Sequence, residues 1–112
     1  MISKELVAAS SKPLILSILS IKESYGYEII KKVQELSKDE MQWKDGMLYP
    51  VLHKLEKEGC IESFWKTSET GRKRKYYKIR ENGKTVLEIQ KSQWQVVDKA
   101  LKQLWEVQPC LS

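Results

Sequence analysis

Apolar residues recur at helical spacing in four stretches of this chain and alternate in a fifth, and that pattern sets the expected elements. Leu6, Val7, Leu14, Ile15, Ile18 and Leu19 predict a first helix over Leu6–Ile21. Pro13 falls inside it, where a proline removes a hydrogen bond and crowds the preceding turn. Two readings stay open there: a kink at Pro13, or a second segment capped by Ser10 or Ser11. Ile29, Ile30, Val33 and Leu36 predict a second helix capped by Ser24, followed by a linker over Ser37–Trp43. Leu48, Val51, Leu52 and Leu55 predict a third helix within Lys44–Gly59. Asp45 is placed to satisfy the free amides and positive dipole at its start, and Gly59 to supply a left-handed stop.

β-Branched and aromatic residues then predict a strand over Cys60–Trp65 and an antiparallel mate over Lys75–Ile79. The polar segment between them, Lys66–Arg74, contains Gly71. A long helix follows from Glu81 to about Glu106, with no proline until Pro109. It carries two apolar stripes. Leu87, Trp94, Val97, Leu101 and Leu104 form one, interrupted by Gln90, and Val86, Ile89, Val96 and Ala100 form the other. A small domain needs one such stripe, so the second predicts a partner chain, with Leu87, Trp94, Val97, Leu101 and Leu104 as dimer residues. Three helices followed by a hairpin make the expected fold class mainly α with a small β-hairpin. Residues 1–80 form a winged helix-turn-helix DNA-binding domain, and residues 81–112 a C-terminal dimerisation helix and tail.

Charge sharpens this picture because it is local. The formal net charge is +5, yet Lys66–Lys84 alone holds eight basic residues against Glu69 and Glu81, so the rest of the chain is close to neutral. A basic cluster on a hairpin is how a protein grips a phosphate backbone. At 112 residues one domain with a modest core is expected. There is no apolar run of about 18 residues and no secretory pattern, which predicts a cytoplasmic protein without a membrane segment. Cys60 and Cys110 lack metal-ligand or redox spacing and are expected as free thiols.

The outward face of the third helix mixes Gly46, Met47, Tyr49, Pro50, His53, Lys54 and Lys57, a set better suited to a DNA groove than to plain solvation. Met47, Tyr49, Pro50, His53 and Lys54 are the candidate base or backbone contacts, with Lys44 on phosphate at the helix start. Arg72, Lys73, Arg74 and Lys75 are the candidate contacts of the wing; an ordinary solvated charge run is the competing reading. Lys31, Lys32 and the Tyr25 hydroxyl divide evenly between phosphate contact and solvation. Strand alternation turns at least one of Tyr76 and Tyr77 inward. His53, the only histidine, has no ligand-spaced neighbours, and no nucleophile–base pair or phosphate-cradling loop is present. No enzyme, metal or cofactor is therefore expected. Trp94 has two readings: dimer core, or one of two facing rings that sandwich a flat apolar ligand, with Gln90 and Gln93 marking an imperfectly packed seam.

Three blocks carry a resemblance. YGYEIIKKVQEL (Tyr25–Leu36), GMLYPVLHKLEKEGCIES (Gly46–Ser63) and GRKRKYYKI (Gly71–Ile79) resemble the signature blocks of the PadR family of bacterial transcriptional regulators. The single long final helix is similar to that of the smaller PadR subfamily. KSQWQVVDKALKQL (Lys91–Leu104) resembles the last helix of a multidrug-responsive repressor in that subfamily, where a tryptophan from each subunit sandwiches planar aromatic drugs. The resemblance implies a ligand site of Trp94, Val97, Asp98 and Gln90, lined by the first helix through Leu6, Ala9, Ser10 and Pro13. Two positions depart from the pattern: Pro13, and Arg80 where the family often starts the last helix with threonine or serine.

The expectation is a homodimeric repressor on a palindromic double-stranded DNA operator, released by a planar aromatic or hydrophobic inducer. Two rivals remain: a DNA-binding regulator whose Trp94 is purely structural, and a winged helix used for protein contact, whose association would be insensitive to salt.

Overall fold

The computed structural model describes residues 2–107; Pro109 and Cys110, discussed above, lie outside the described residues. The elements run α1 Lys4–Ile21, β1 Ser24–Tyr25, α2 Gly26–Leu36, α3 Asp45–Lys57, β2 Ile61–Thr67, β3 Lys73–Ile79 and α4 Glu81–Trp105. α1 begins earlier than its apolar pattern suggests because the Ser3 hydroxyl accepts the Leu6 amide at 3.3 Å. It then runs through Pro13 as one helix. The reading of a second segment capped by Ser10 or Ser11 is corrected: their hydroxyls donate back to the Leu6 and Ala8 carbonyls at 2.7 and 2.9 Å, within the helix. Ser24 is likewise not a cap. It is buried in β1, and α2 starts after Tyr25, whose amide donates to the Glu28 carboxylate at 3.2 Å.

The sheet has the order β1-β3-β2 and is antiparallel throughout. β2 and β3 are longer than the alternation predicted, pairing from Ile61↔Ile79 out to Thr67↔Lys73. Ile61, Ser63, Tyr77 and Ile79 share the face toward the helices. Phe64 and Tyr76 share the other, where Tyr25 of β1 closes on Tyr76 edge-to-face at 5.2 Å and Phe64 stacks at 5.9 Å. Both neighbouring tyrosines are thus buried, Tyr77 in the main core and Tyr76 in this smaller aromatic cluster.

Ile15, Leu16, Leu19, Ile29, Val33, Leu48, Leu52, Leu55, Ile61, Tyr77 and Leu87 form the main core. Met41 and Trp43, from the segment expected to be a plain linker, join it. Among the described residues, no helix is long and apolar enough to cross a membrane. The first turns of α4 belong to the same core, so the core continues across the expected boundary at residue 80. The Arg80 amide donates to the Cys60 carbonyl at 2.9 Å, and the Asn82 side chain donates to the Glu58 carbonyl at 3.2 Å. Gly83 lies so close that a Cβ there would overlap the Cys60 carbonyl. Beyond Leu87 the helix leaves the core, giving a chain 62 Å in its longest dimension.

Two outcomes follow from this packing. Gly83→Ala should lower unfolding free energy by about 1–3 kcal/mol in urea titration, because the backbone carbonyl beneath it cannot rotate away. Burial also pushes the Tyr77 phenol and the Cys60 thiol above their ordinary values. Both are neutral when protonated, so the unfolded chain ionises first as pH rises. Their stabilisation is complete below the unfolded pKa values and is lost as pH rises through the folded ones. The urea midpoint should therefore fall as pH rises above about 8.5, the ordinary cysteine value, and the fall should be smaller in Tyr77→Phe.

Candidate nucleic-acid interface

α3 is built with a sharply divided surface. Leu48, Leu52 and Leu55 are buried, while Gly46, Pro50, His53 and Lys57 lie exposed on the opposite side with Lys54 at its edge. The helix ends as expected: Gly59 adopts φ 78°, its amide donates to the Glu56 carbonyl at 3.0 Å, and the Cys60 amide donates to the Leu55 carbonyl at 2.9 Å. At the start, exposed Lys44 is the N-cap and no side chain caps the helix. Asp45 sits in the first turn, so the expected satisfaction of free amides by its side chain is corrected to an effect on the dipole alone.

Two expected groove residues are placed differently from their neighbours. Tyr49 is half-buried, its hydroxyl resting so near Gly26 that a Cβ there would collide with it. Met47 is also half-buried, packed against the core. Both lie on the flanks of α3, roughly 70–90° from the outward face, because a period of 3.6 leaves side positions between core and solvent. Gly46 and Lys57, on that face but outside the expected contact set, are better exposed than either. Pro50 has no amide to donate, which leaves the Gly46 carbonyl without its usual helical partner. Beyond its chain neighbours and the helix's own backbone, no atom lies within 4 Å of the position a Gly46 Cβ would occupy.

The basic run of the wing is divided by the sheet. Only Arg72 belongs to the turn, where the Ser68 amide donates to its carbonyl at 2.7 Å and Gly71 takes φ 82°. Lys73, Arg74 and Lys75 are in β3 rather than in the loop, so they alternate between faces. Arg74 lies on the aromatic side, its guanidinium 4.4 Å from the Tyr25 ring centre, with Nε buried and without a hydrogen-bond partner. Lys66 caps the Tyr76 ring at 4.6 Å and pairs with Glu23, whose hydrogen bond holds the ammonium above its ordinary pKa. Lys78 lies 5.5 Å from the Phe64 ring and pairs with Glu62 at 3.2 Å. Arg72 and Lys73 are exposed at the outer end of the hairpin, and Lys75 is half-buried on the face shared with Tyr77. On α2, Lys31 and Lys32 are exposed, and Lys31 lies 6.0 Å from the Tyr27 ring.

The expected ligand residues are not gathered into one place within the chain. Ala9 and Gln90 line a cavity of about 670 Å³ between α1, α3 and α4, together with Val7, Met47, Val51 and Lys54. Leu6, Ser10, Pro13, Trp94, Val97 and Asp98 are not on its walls. Trp94 is half-buried, Val97 and Asp98 are exposed, and Asp98 pairs with Lys102 at 3.1 Å. Leu6 is exposed, while Ser10 and Pro13 are half-buried in α1. Of the expected dimer residues, Leu87 is corrected: it is 3% exposed and spent on this chain's own core. Val97, Leu101 and Leu104 are exposed, and so are Ile89, Val96 and Trp105.

The model of the transcriptional regulator PadR-like family matches residues 15–89. The crystal structure of a PadR-like transcriptional regulator from Bacillus cereus is 32% identical with a TM-score of 0.84, covering 94% of this chain and 100% of that one. That of a PadR family transcription regulator from Clostridium difficile is 38% identical with a TM-score of 0.75, covering 86% and 98%. The transcriptional regulator YqjI of Escherichia coli is 30% identical over 89 residues, which are 80% of this chain and 41% of YqjI.

A glycine inside a helix costs about 1 kcal/mol relative to alanine, and nothing in the protein requires one at position 46. Gly46→Ala should therefore raise the unfolding free energy by up to about 1 kcal/mol in urea titration while weakening duplex DNA binding, since the added methyl stands on the open face.

Proposed function

Since this chain belongs to the PadR-like family of transcriptional regulators, we propose that it is a homodimeric repressor of a palindromic operator, released by a planar aromatic or hydrophobic small molecule held at the dimer interface near Trp94. The family and its structural neighbours are regulators of transcription, not enzymes. The single observation that carries the DNA reading is the exposed face of α3, with Gly46, Pro50, His53, Lys54 and Lys57 held out by three buried leucines. Two copies of that face enter successive major grooves roughly 34 Å apart. Lys44 meets phosphate at the helix start, Pro50, His53 and Lys54 meet base edges or backbone, and Met47 and Tyr49 support them from the flanks. Arg72, Lys73 and Lys75 hold the flanking backbone, while Arg74 acts mainly by bracing the hairpin against Tyr25.

Dimerisation is supported by the apolar residues that α4 leaves exposed after Leu87, more than an isolated helix keeps in water without a partner. Trp94 lies in the middle of that stretch, where pairing would bring two copies together around a flat ring. An inducer there acts only by preferring a dimer geometry whose α3 spacing mismatches the operator. A route for that effect is short, because Gln90, one turn before Trp94, shares a cavity wall with Met47 and Lys54 of α3. Repression of exporter or detoxification genes in a bacterial cytoplasm, a multidrug transporter operon first and the protein's own promoter alongside it, is the corresponding biological setting.

Binding to the upstream region, followed by fluorescence anisotropy, tests the interface. Replacing Arg72 and Lys73 with alanine should weaken binding to all duplexes and reduce the slope of log affinity against log salt by about one per lost contact; an unchanged slope removes the wing from the interface. Separately, a planar aromatic cation should quench tryptophan emission of the dimer, and Trp94→Ala should abolish that change. Equal quenching in both proteins would leave Trp94 a structural residue only.

A further inference from the structure

The hairpin carries one large apolar side chain that the fold does not use. Trp65 is 63% exposed on β2 and is not part of the core. Its direction is fixed by its neighbours. Ser63, two residues earlier on the same face, donates through its amide and its hydroxyl to the Glu56 carboxylate of α3 at 3.2 and 2.6 Å. Trp65 therefore projects on the α3 side of the hairpin, one step past the Ser63–Glu56 contact. Opposite it in register stands Lys75, and the next pair outward on the same face is Thr67 with Lys73. This face of the outer hairpin is accordingly an indole flanked by two ammonium groups, continuous with exposed Arg72 in the turn.

The geometry points to Trp65 as a DNA-contact residue, its ring lying on the deoxyribose–phosphate backbone that runs between α3 and the wing. This rests on the DNA-binding reading above and adds an apolar contact to it. Charge selects the occupant. A second copy of the same strip would set Lys73 and Lys75 against their own like charges, whereas a polyanion with apolar sugar faces matches both the lysines and the ring. The indole Nε1–H can donate to a phosphate oxygen while the ring covers the sugar, and a tryptophan loses little side-chain freedom in doing so. Its contribution is independent of base identity and of counterion release, because the residue carries no charge.

The test uses the full chain and the duplex that the wild type binds, with Trp65→Ala and Trp65→Phe compared across a salt series. Trp65→Ala should weaken both operator and non-operator binding by about tenfold with an unchanged salt slope, and Trp65→Phe should recover most of the loss. Adding the duplex should quench the tryptophan emission of the wild type, and Trp65→Phe should remove most of that quenching. Unaltered affinity in Trp65→Ala overturns the assignment while leaving DNA binding intact. A flattened slope also overturns it, since that reports displaced lysines and a deranged hairpin. A change in sedimentation of the free protein on Trp65→Ala overturns it in favour of a self-association surface. A wild type that binds no duplex overturns this contact and the DNA-binding reading together.

Discussion

Everything outward on α3 depends on Leu48, Leu52 and Leu55 being held against the core. Burying each leucine contributes roughly 1.5–3 kcal/mol, enough to offset a helix with a glycine in its first turn and a proline in its interior, the proline alone costing on the order of 3 kcal/mol. Those two residues are poor choices for a helix, and both lie on its exposed side. The leucine row also sets the rotation of the helix. Shifting it by one residue would turn Gly46, Pro50, His53 and Lys57 away from the open face by about 100°.

The helix is positioned along its axis by one corner of the structure. After the left-handed turn at Gly59, the Cys60 amide closes the end of α3 while the Cys60 carbonyl accepts the Arg80 amide that precedes α4. Gly83 lets α4 seat directly on that carbonyl. The end of α3, the start of β2 and the start of α4 therefore meet at a single residue, and Glu56 ties Ser63 of the hairpin to the same region. Backbone hydrogen bonds and a close glycine contact resist displacement better than exposed ion pairs, each of which contributes little. A change in the angle of α4 would be felt at α3 because little between them can yield.

Charge in the hairpin is divided between holding and presenting. Lys66, Arg74 and Lys78 cover the Tyr76, Tyr25 and Phe64 rings, and that cluster stiffens a short sheet that has only the two-residue β1 as its third strand. Arg72 and Lys73 remain exposed. The basic cluster is thus smaller as a contact surface than as a stretch of sequence, while Trp65 adds apolar area to it.

Periodicity and punctuation by themselves determined the order of the four helices and the hairpin, the buried row of α3 and the stop at Gly59, because each is set by interactions within a few residues; the third strand, β1, depends on pairing with β3 and was not legible. The motif blocks Tyr25–Leu36, Gly46–Ser63 and Gly71–Ile79 carried the family. What they could not determine was anything dependent on which surfaces meet. Strand length hid that Lys73, Arg74 and Lys75 alternate between two faces, and only pairing with β2 and β1 separated them. Trp43 looked like linker, and Leu87 like the first residue of a partner-facing stripe, until the core was closed over both. Tyr49 and Met47 fell on the flanks of α3, and whether a flank position is open depends on the neighbour that packs there, Gly26 in one case and the cavity wall beside α1 in the other. Local spacing says which face a residue shares; only the tertiary contacts say what covers that face.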